Sequence, residues 1–72
     1  MNILIFKTNI RSQQKLNRIK QVINKHSVIW DWSVDIEDID HVLRIEASEK
    51  LKEKDVIDMI RTCGFNCEVL NC

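Results

Sequence analysis

The residues with the most reactive side chains in this sequence are three cysteines. Cys63 and Cys67 stand on either side of Gly64, and Cys72 lies a few residues further on. An odd number of cysteines does not fit a closed disulfide framework, so we expect reduced thiols in a reducing compartment. Free cysteine is commonly buried, and a Cys-x-x-x-Cys spacing interrupted by a glycine is a weak metal signal. We therefore expect Cys63 and Cys67 to pack as small hydrophobic residues and Cys72 to be an exposed thiol.

The two histidines show no recognisable catalytic arrangement. His26 continues an apolar helical stripe, where we expect a packed or half-buried ring, and His41 stands beside acidic residues, where we expect it to be solvated. No nucleophile accompanies either histidine at a spacing typical of an active site. Gly64 is the only glycine, so no glycine-rich loop is present to hold a phosphate group. The sequence predicts that the chain is not an enzyme.

Composition predicts one small cytoplasmic domain over residues 1–72. Eleven Lys and Arg residues balance eleven Asp and Glu residues, which removes the general attraction to a phosphate backbone. No apolar run approaches the ~20 residues that a membrane span needs, and no signal peptide is recognisable. We expect no nucleic acid, no membrane insertion, and a monomer or weak dimer.

Hydrophobic periodicity predicts strands in three places before the last quarter of the chain. Asn2–Thr8 is apolar at both alternating sets of positions, which is typical of a central strand. Val28–Ile36 and His41–Ala47 both alternate and are joined by a charged turn, so they predict an antiparallel hairpin. Trp30 and Trp32 share the predicted inner face of this hairpin. Core packing is expected for both, and partial exposure of one at a sheet edge remains open.

Two helices complete the pattern. Ser12 predicts the N-cap of a first helix, whose apolar stripe runs to about Ser27. A second helix starts within Ser48–Lys54 and stops at Gly64, because glycine adopts the left-handed conformation without strain. Asn66–Leu70 is a short last strand. This β-α-β-β-α-β order predicts the ferredoxin-like α+β sandwich, a four-stranded antiparallel sheet with two helices on one face.

Several short blocks resemble the heavy-metal-associated domain, the family of small copper-chaperone-like domains. They cover nearly the whole chain and are Phe6–Arg11, Trp32–Glu37, Val42–Ile45 and Ile60–Phe65. In that family, a Cys-x-x-Cys loop between the first strand and the first helix presents two thiolates to Cu(I) or Zn(II). Counted from Thr8, the resemblance places Ser12 and Lys15 at the two ligand positions. A hydroxyl binds soft metals poorly and an ammonium repels them, so we expect no metal at this loop and no cofactor.

The resemblance also implies a protein-docking role. Domains of that family dock their partners around this loop through complementary charge, which implies a partner with an acidic surface. The residues expected to form the docking surface are Lys7, Arg11, Lys15, Arg18 and Phe65. The basic cluster would also suit an anion at a helix N-terminus.

One further alternative follows from the same resemblance. In that family, the Gly-Phe corner after the second helix lies close to the metal loop. The chain could then bind or traffic Cu(I) or Zn(II) through a displaced site at Cys63, Cys67 or Cys72. The RNA-recognition motif shares the element order, but His41–Ala47 lacks its exposed aromatics and its Gly-rich block, so we do not expect RNA binding.

Overall fold

The chain folds in the β-α-β-β-α-β order that its periodicity predicts. The computed structural model describes residues 2–70, with β1 (Asn2–Thr8), α1 (Gln13–Ile23), β2 (Ile29–Val34), β3 (Leu43–Ala47), α2 (Glu53–Thr62) and β4 (Cys67–Val69). The strands form one antiparallel sheet in the order β2-β3-β1-β4. The predicted ferredoxin-like class and the central position of β1 are therefore confirmed. Neither helix of residues 2–70 is long and apolar enough to cross a membrane.

The hydrophobic core lies between one face of the sheet and the two helices. Alternate residues of β1 and β3 point into it and meet the apolar stripe of each helix. The main contributors are Leu4, Phe6, Leu43, Ile45, Ile19, Ile23, Val56 and Ile60. Within residues 2–70, no helix covers the opposite face of the sheet, and Ile3 and Ile5 of β1 point away from the core toward that face.

The first helix ends earlier than its sequence pattern predicts. α1 stops at Ile23, whereas the stripe predicts an end near Ser27. The amide of His26 donates to the carbonyl of Ile23 at 3.0 Å, and the amide of Ile29 donates to the carbonyl of His26 at 3.1 Å. These short-range bonds turn the chain back toward the sheet. His26 is consequently exposed, so the prediction of a packed ring is wrong.

A β-bulge interrupts β2 near its start. The register pairs Ile29 with Ala47 but Asp31 with Glu46, so Trp30 is an extra residue with no partner of its own. A bulge of this kind reverses the inside–outside alternation of the bulged strand. Trp30 is 61% exposed, although the sequence pattern places it on the inner face.

The bulge separates the two tryptophans. Trp32 pairs with Ile45 and packs against the core, as predicted, whereas the prediction of the same face for Trp30 is wrong. β2 is an edge strand, so the alternative of one exposed tryptophan at a sheet edge is confirmed. The strand is also shorter than the predicted Val28–Ile36.

The second helix has clear signals at both ends. At its start, the side chain of Asp55 accepts a hydrogen bond from the amide of Lys52 at 3.0 Å. At its end, Gly64 has a φ of +91°, and the amide of Phe65 donates to the carbonyl of Ile60 at 3.3 Å. This is the Schellman arrangement, and it confirms the predicted stop at Gly64.

Candidate functional site

Three chain segments meet at the C-terminal end of β1. The first is the loop of residues 9–12, which leads into α1. Its Ile10 side chain is fully buried, and the Ile10 amide donates to the hydroxyl of Thr8 at 3.2 Å. The second is the corner after α2, because the side-chain oxygen of Asn9 accepts from the amide of Asn66 at 2.9 Å. The loop that holds metal in the resembled family therefore lies against the Gly-Phe corner in this chain.

The third segment is the turn between β2 and β3. The amide of Thr8 donates to the carbonyl of Asp40 at 3.1 Å, and the hydroxyl of Thr8 donates to the carbonyl of His41. Lys7 also lies 3.7 Å from the carboxylate of Asp40. Thr8 is thus hydrogen-bonded to both the loop and the turn. These hydrogen bonds explain why a polar side chain can be buried at this position.

His41 belongs to this turn and not to a strand. Its φ is +44°, and its Nδ1 lies 2.9 Å from the carbonyl oxygen of Ile36, which requires that nitrogen to carry the proton. The ring is half-buried, so the prediction of a solvated His41 at a strand start is wrong.

Ser12 and Lys15 occupy the first turn of α1. The hydroxyl of Ser12 accepts a hydrogen bond from the amide of Lys15 at 3.3 Å, and the backbone of Ser12 is extended, as in an N-cap. The predicted cap is confirmed. An oxygen engaged in capping and an exposed ammonium are a poor donor set for a soft cation. These two positions do not fit Cu(I) or Zn(II).

The cysteines occupy different environments. Cys67 is buried on β4 opposite Thr8, and burial raises the pKa of its thiol to about 11, with a smaller opposing effect of Arg61 and a further small rise from Glu68. Cys63 is half-buried at the C-terminal end of α2 and packs against the core. Cys72 lies outside the described residues.

No metal-binding constellation is evident in the part of the chain that the structure describes. Within residues 2–70, no three His, Cys, Asp or Glu side chains are grouped so that they could hold a metal ion. A thiol with a raised pKa, such as that of Cys67, is also a weak ligand, because metals bind the thiolate. The metal site at Cys63, Cys67 or Cys72 stays a prediction, and the burial of Cys67 does not favour it.

The residues expected to form the docking surface do not all lie together. Arg11, Lys15 and Arg18 are exposed at the start of α1 and along it. Lys7 points from β1 to the opposite side of the sheet, where it pairs with Asp40. Phe65 is only 7% exposed, so its place on a docking surface is a wrong prediction. The left-handed conformation of Gly64 turns that ring into the core.

Two further exposed lysines lie near Arg11, Lys15 and Arg18 in the sequence and were not predicted as part of the docking surface. Lys20 is exposed in the last turn of α1, and Lys25 is exposed two residues after the helix ends. The signal was present, because the first thirty residues contain six Lys and Arg residues and no Asp or Glu. The remaining residues contain five basic and eleven acidic side chains, so a neutral chain carries strongly opposite charges in its two parts.

Comparison with solved structures finds the same fold in three other domains. A chain of the Atx1–Cu(I)–Ccc2a complex is 14% identical with a TM-score of 0.85, and the match covers 99% of this chain and 97% of that one; Ccc2a is a yeast copper transporter domain. The copper-binding domain of the P-type ATPase HMA7 is 16% identical, with a TM-score of 0.83 and coverage of 99% and 96%. The N-terminal domain of PacS from Synechocystis PCC6803 is 12% identical, with a TM-score of 0.79 and coverage of 99% and 100%.

These structures confirm the predicted resemblance at the level of the fold. No family model matches the sequence, and no curated protein does either. The chain therefore has the ferredoxin-like fold of heavy-metal-associated domains, at identities low enough for a divergent member.

Proposed function

We propose that this chain is a protein-interaction module, and that it docks an acidic partner protein through the surface around α1. The observation that carries the proposal is the first turn of α1. Ser12 and Lys15 provide a cap and a positive charge where the resembled family has thiolates. The free thiols of Cys63 and Cys67 in this chain suit the reducing environment of the cytoplasm.

The proposed contact surface combines five basic residues within α1 and on either side of it. We define the basic surface as Arg11, Lys15, Arg18, Lys20 and Lys25, all of which are exposed. None of them takes part in the two ion pairs found within residues 2–70, which join Lys7 to Asp40 and Arg44 to Glu46. α1 contains no acidic residue, so nothing on the helix itself neutralises this charge.

The physical role of such a surface is to orient and accelerate association. Exposed ion pairs contribute only about 0–1 kcal/mol each, but several charges of one sign raise the association rate and select the partner's orientation. Nucleic acid is a poorer candidate partner, because the chain as a whole is neutral and α1 has no exposed aromatic residue.

The compared structures give limited support for docking. One of them is a complex of Atx1, Cu(I) and Ccc2a, so a domain with this fold takes part in a protein complex. That complex contains copper. For this chain, we propose docking by charge without a metal between the partners.

The alternative function, soft-metal binding by Cys63, Cys67 or Cys72, has one observation in its favour. The hydrogen bond between Asn9 and Asn66 holds the segment that carries Cys63 and Cys67 against the loop before α1. The burial of Cys67 works against it.

Affinity capture with the immobilised chain tests the docking role. The test variant is Lys15→Glu with Arg18→Glu, and the matched control is Lys50→Glu with Lys54→Glu, which reverses two exposed lysines before and in the first turn of α2. We expect wild type and control to retain the same acidic protein, and the test variant to lose it. Binding should also weaken as salt increases, since these charges are exposed. If the test variant retains the acidic protein as well as wild type does, the docking role is refuted.

Competition for Cu(I) with a chromophoric chelator tests the metal alternative. We expect the wild-type chain to leave a weak chelator loaded, and a variant with Ser12→Cys and Lys15→Cys to remove Cu(I) from it, because that variant restores two thiolates at the ligand positions. A wild-type chain that removes Cu(I), together with a triple Cys→Ser variant that does not, would establish the sulfur site instead.

A further inference from the structure

The sheet face opposite the helices carries an apolar strip that the fold leaves uncovered. We define the open-face strip as Trp30, Ile3, Ile5 and Leu70. Trp30 is 61% exposed and Ile3 is 44% exposed, while Ile5 and Leu70 are half-buried. None of the four belongs to the core or to the residues packed against it. The described part of the chain therefore leaves these four apolar side chains at least partly exposed to solvent.

The strand pairing places Ile3, Ile5 and Leu70 beside one another, whereas Trp30 lies two strands away from Ile3. Ile3 and Ile5 alternate along β1 and share its outer face, and the amide of Leu70 donates to the carbonyl of Ile5 at 3.0 Å. On the other side, Ile3 pairs with Glu46, which in turn faces the bulge at Trp30. Since neighbouring strands lie about 4.8 Å apart, Trp30 is roughly 10 Å from Ile3 across the sheet, and Glu46 and Arg44 of β3 lie between Trp30 and the apolar residues of β1.

The bulge in β2 is the reason that Trp30 contributes to this strip. Without the extra residue, regular alternation would direct Trp30 inward beside Trp32. Antiparallel sheets with helices on one side normally expose polar residues on the other. Here, β1 has the composition of a strand that is covered on both faces, and the bulge adds a tryptophan to the uncovered face.

The charges at the margins of the strip are mainly acidic. Arg44 lies 3.0 Å from Glu46, and Lys7 pairs with Asp40, so both basic residues of this face already have partners. Asp31 lies at the β2 edge and Glu68 at the β4 edge, and neither takes part in an ion pair within residues 2–70. Asp31 at the β2 edge therefore has no ion-pair partner within residues 2–70, whereas Glu68 at the β4 edge stands opposite Lys7 in the strand register.

We propose that this open face is a second docking surface, and that its occupant is an amphipathic helix of a partner protein with Lys or Arg beside its apolar stripe. Such a helix buries an apolar stripe in an apolar surface and places its basic residues near Asp31 and Glu68. It would also complete a helix-sheet-helix arrangement, since β1 is apolar on both faces. The surface is distinct from the basic surface on α1, which lies on the other side of the sheet.

A second copy of this chain fits the open face less well. Two copies meeting through this face would bring their acidic margins together. A single basic helix avoids that repulsion.

The test titrates the chain with a synthetic peptide while backbone amide and indole NMR signals are followed. The peptide is an amphipathic helix of about five turns (~18 residues) made of Leu and Lys, and the matched peptide carries Glu in place of Lys. We expect the Lys peptide to shift the signals of the open-face strip. Binding should weaken about tenfold or more in Ile3→Thr and in Trp30→Thr, since tenfold corresponds to ~1.4 kcal/mol, less than the burial of one large apolar side chain. Both positions are exposed, so these variants keep the core intact.

Two controls separate this surface from the one on α1. The Lys15→Glu, Arg18→Glu variant should bind the Lys peptide as wild type does, whereas Asp31→Asn with Glu68→Gln should bind it more weakly and with less dependence on salt. The proposal fails if the Glu peptide binds equally well, if the shifts map to α1, or if the strip instead mediates self-association that Trp30→Thr abolishes.

Discussion

Cys67 illustrates how burial decides what a reactive side chain can do. Its thiol lies inside the sheet beside Thr8, where a negative charge would lose its hydration. The pKa therefore rises to about 11 from its ordinary 9.0, mainly through desolvation, which the attraction of Arg61 reduces only in part. A thiol of this kind stays protonated at neutral pH and behaves as a small apolar residue.

The raised pKa of Cys67 predicts how stability changes in alkali. A thiol that ionises less readily in the folded state stabilises the fold fully below about pH 9, and this contribution is lost as the pH rises from 9 to about 11. Between about pH 8 and pH 10.5, wild type should therefore lose roughly 1–2 kcal/mol more unfolding free energy than Cys67→Ala does. Urea unfolding followed by circular dichroism measures the difference. If the unfolding free energy of the two proteins falls equally over this pH range, Cys67 does not titrate as a buried group.

At the scale of the elements, the ends of the helices are set by individual residues. Ser12 caps α1 through its side chain, and Gly64 ends α2 through a φ of +91° that L-residues rarely adopt. Both features were readable in the sequence because they act within one helical turn. The end of α1 was not readable, because it depends on where the chain must turn to reach β2.

A substitution at Gly64 tests the helix stop. A Cβ there would meet no atom within 4 Å, so the cost of Gly64→Ala comes from the backbone alone and should be about 1–2 kcal/mol. For a domain of this size, that loss lowers the melting temperature by roughly 4–8 °C per kcal/mol, measured by thermal unfolding. Gly64→Asn should cost less, because asparagine tolerates a positive φ better. If alanine and asparagine cost the same, the conformation of Gly64 is not the reason for the helix stop.

At the scale of the whole molecule, one side-chain contact joins parts of the chain that are far apart in sequence. The oxygen of Asn9 accepts from the amide of Asn66 at 2.9 Å, across 57 positions. It connects the loop before α1 to the corner between α2 and β4. The proposed docking role depends on the shape of this loop. The alternative metal-binding role depends on the position of the cysteines beside it.

The contact between Asn9 and Asn66 can be tested by hydrogen exchange. Asn9→Ala should speed exchange of the Asn66 amide and lower the unfolding free energy by about 0.5–1.5 kcal/mol, the usual net value of one hydrogen bond. Asn9→Asp keeps an oxygen acceptor at the same place and should preserve most of the protection. Unchanged exchange in Asn9→Ala would show that the Asn9 side chain does not protect the Asn66 amide.

Local patterns were sufficient to predict the element order, the fold class, the cap at Ser12 and the stop at Gly64. Each of these rests on residues that lie within a few positions of one another, so the physics that produces them is contained in a short segment. The resemblance to heavy-metal-associated domains, with Ser12 and Lys15 in place of the thiolates, was also visible in short blocks, and the fold agrees with it.

Only the folded chain showed which side chains reach the surface. The bulge that exposes Trp30 depends on pairing between β2 and β3, the early end of α1 depends on the return to the sheet, and the burial of Phe65 depends on how the corner after α2 meets the core. Burial is a property of contacts between distant segments, and no window of neighbouring residues contains that information. For this reason, the basic surface could be anticipated from composition, whereas the open-face strip required the tertiary structure.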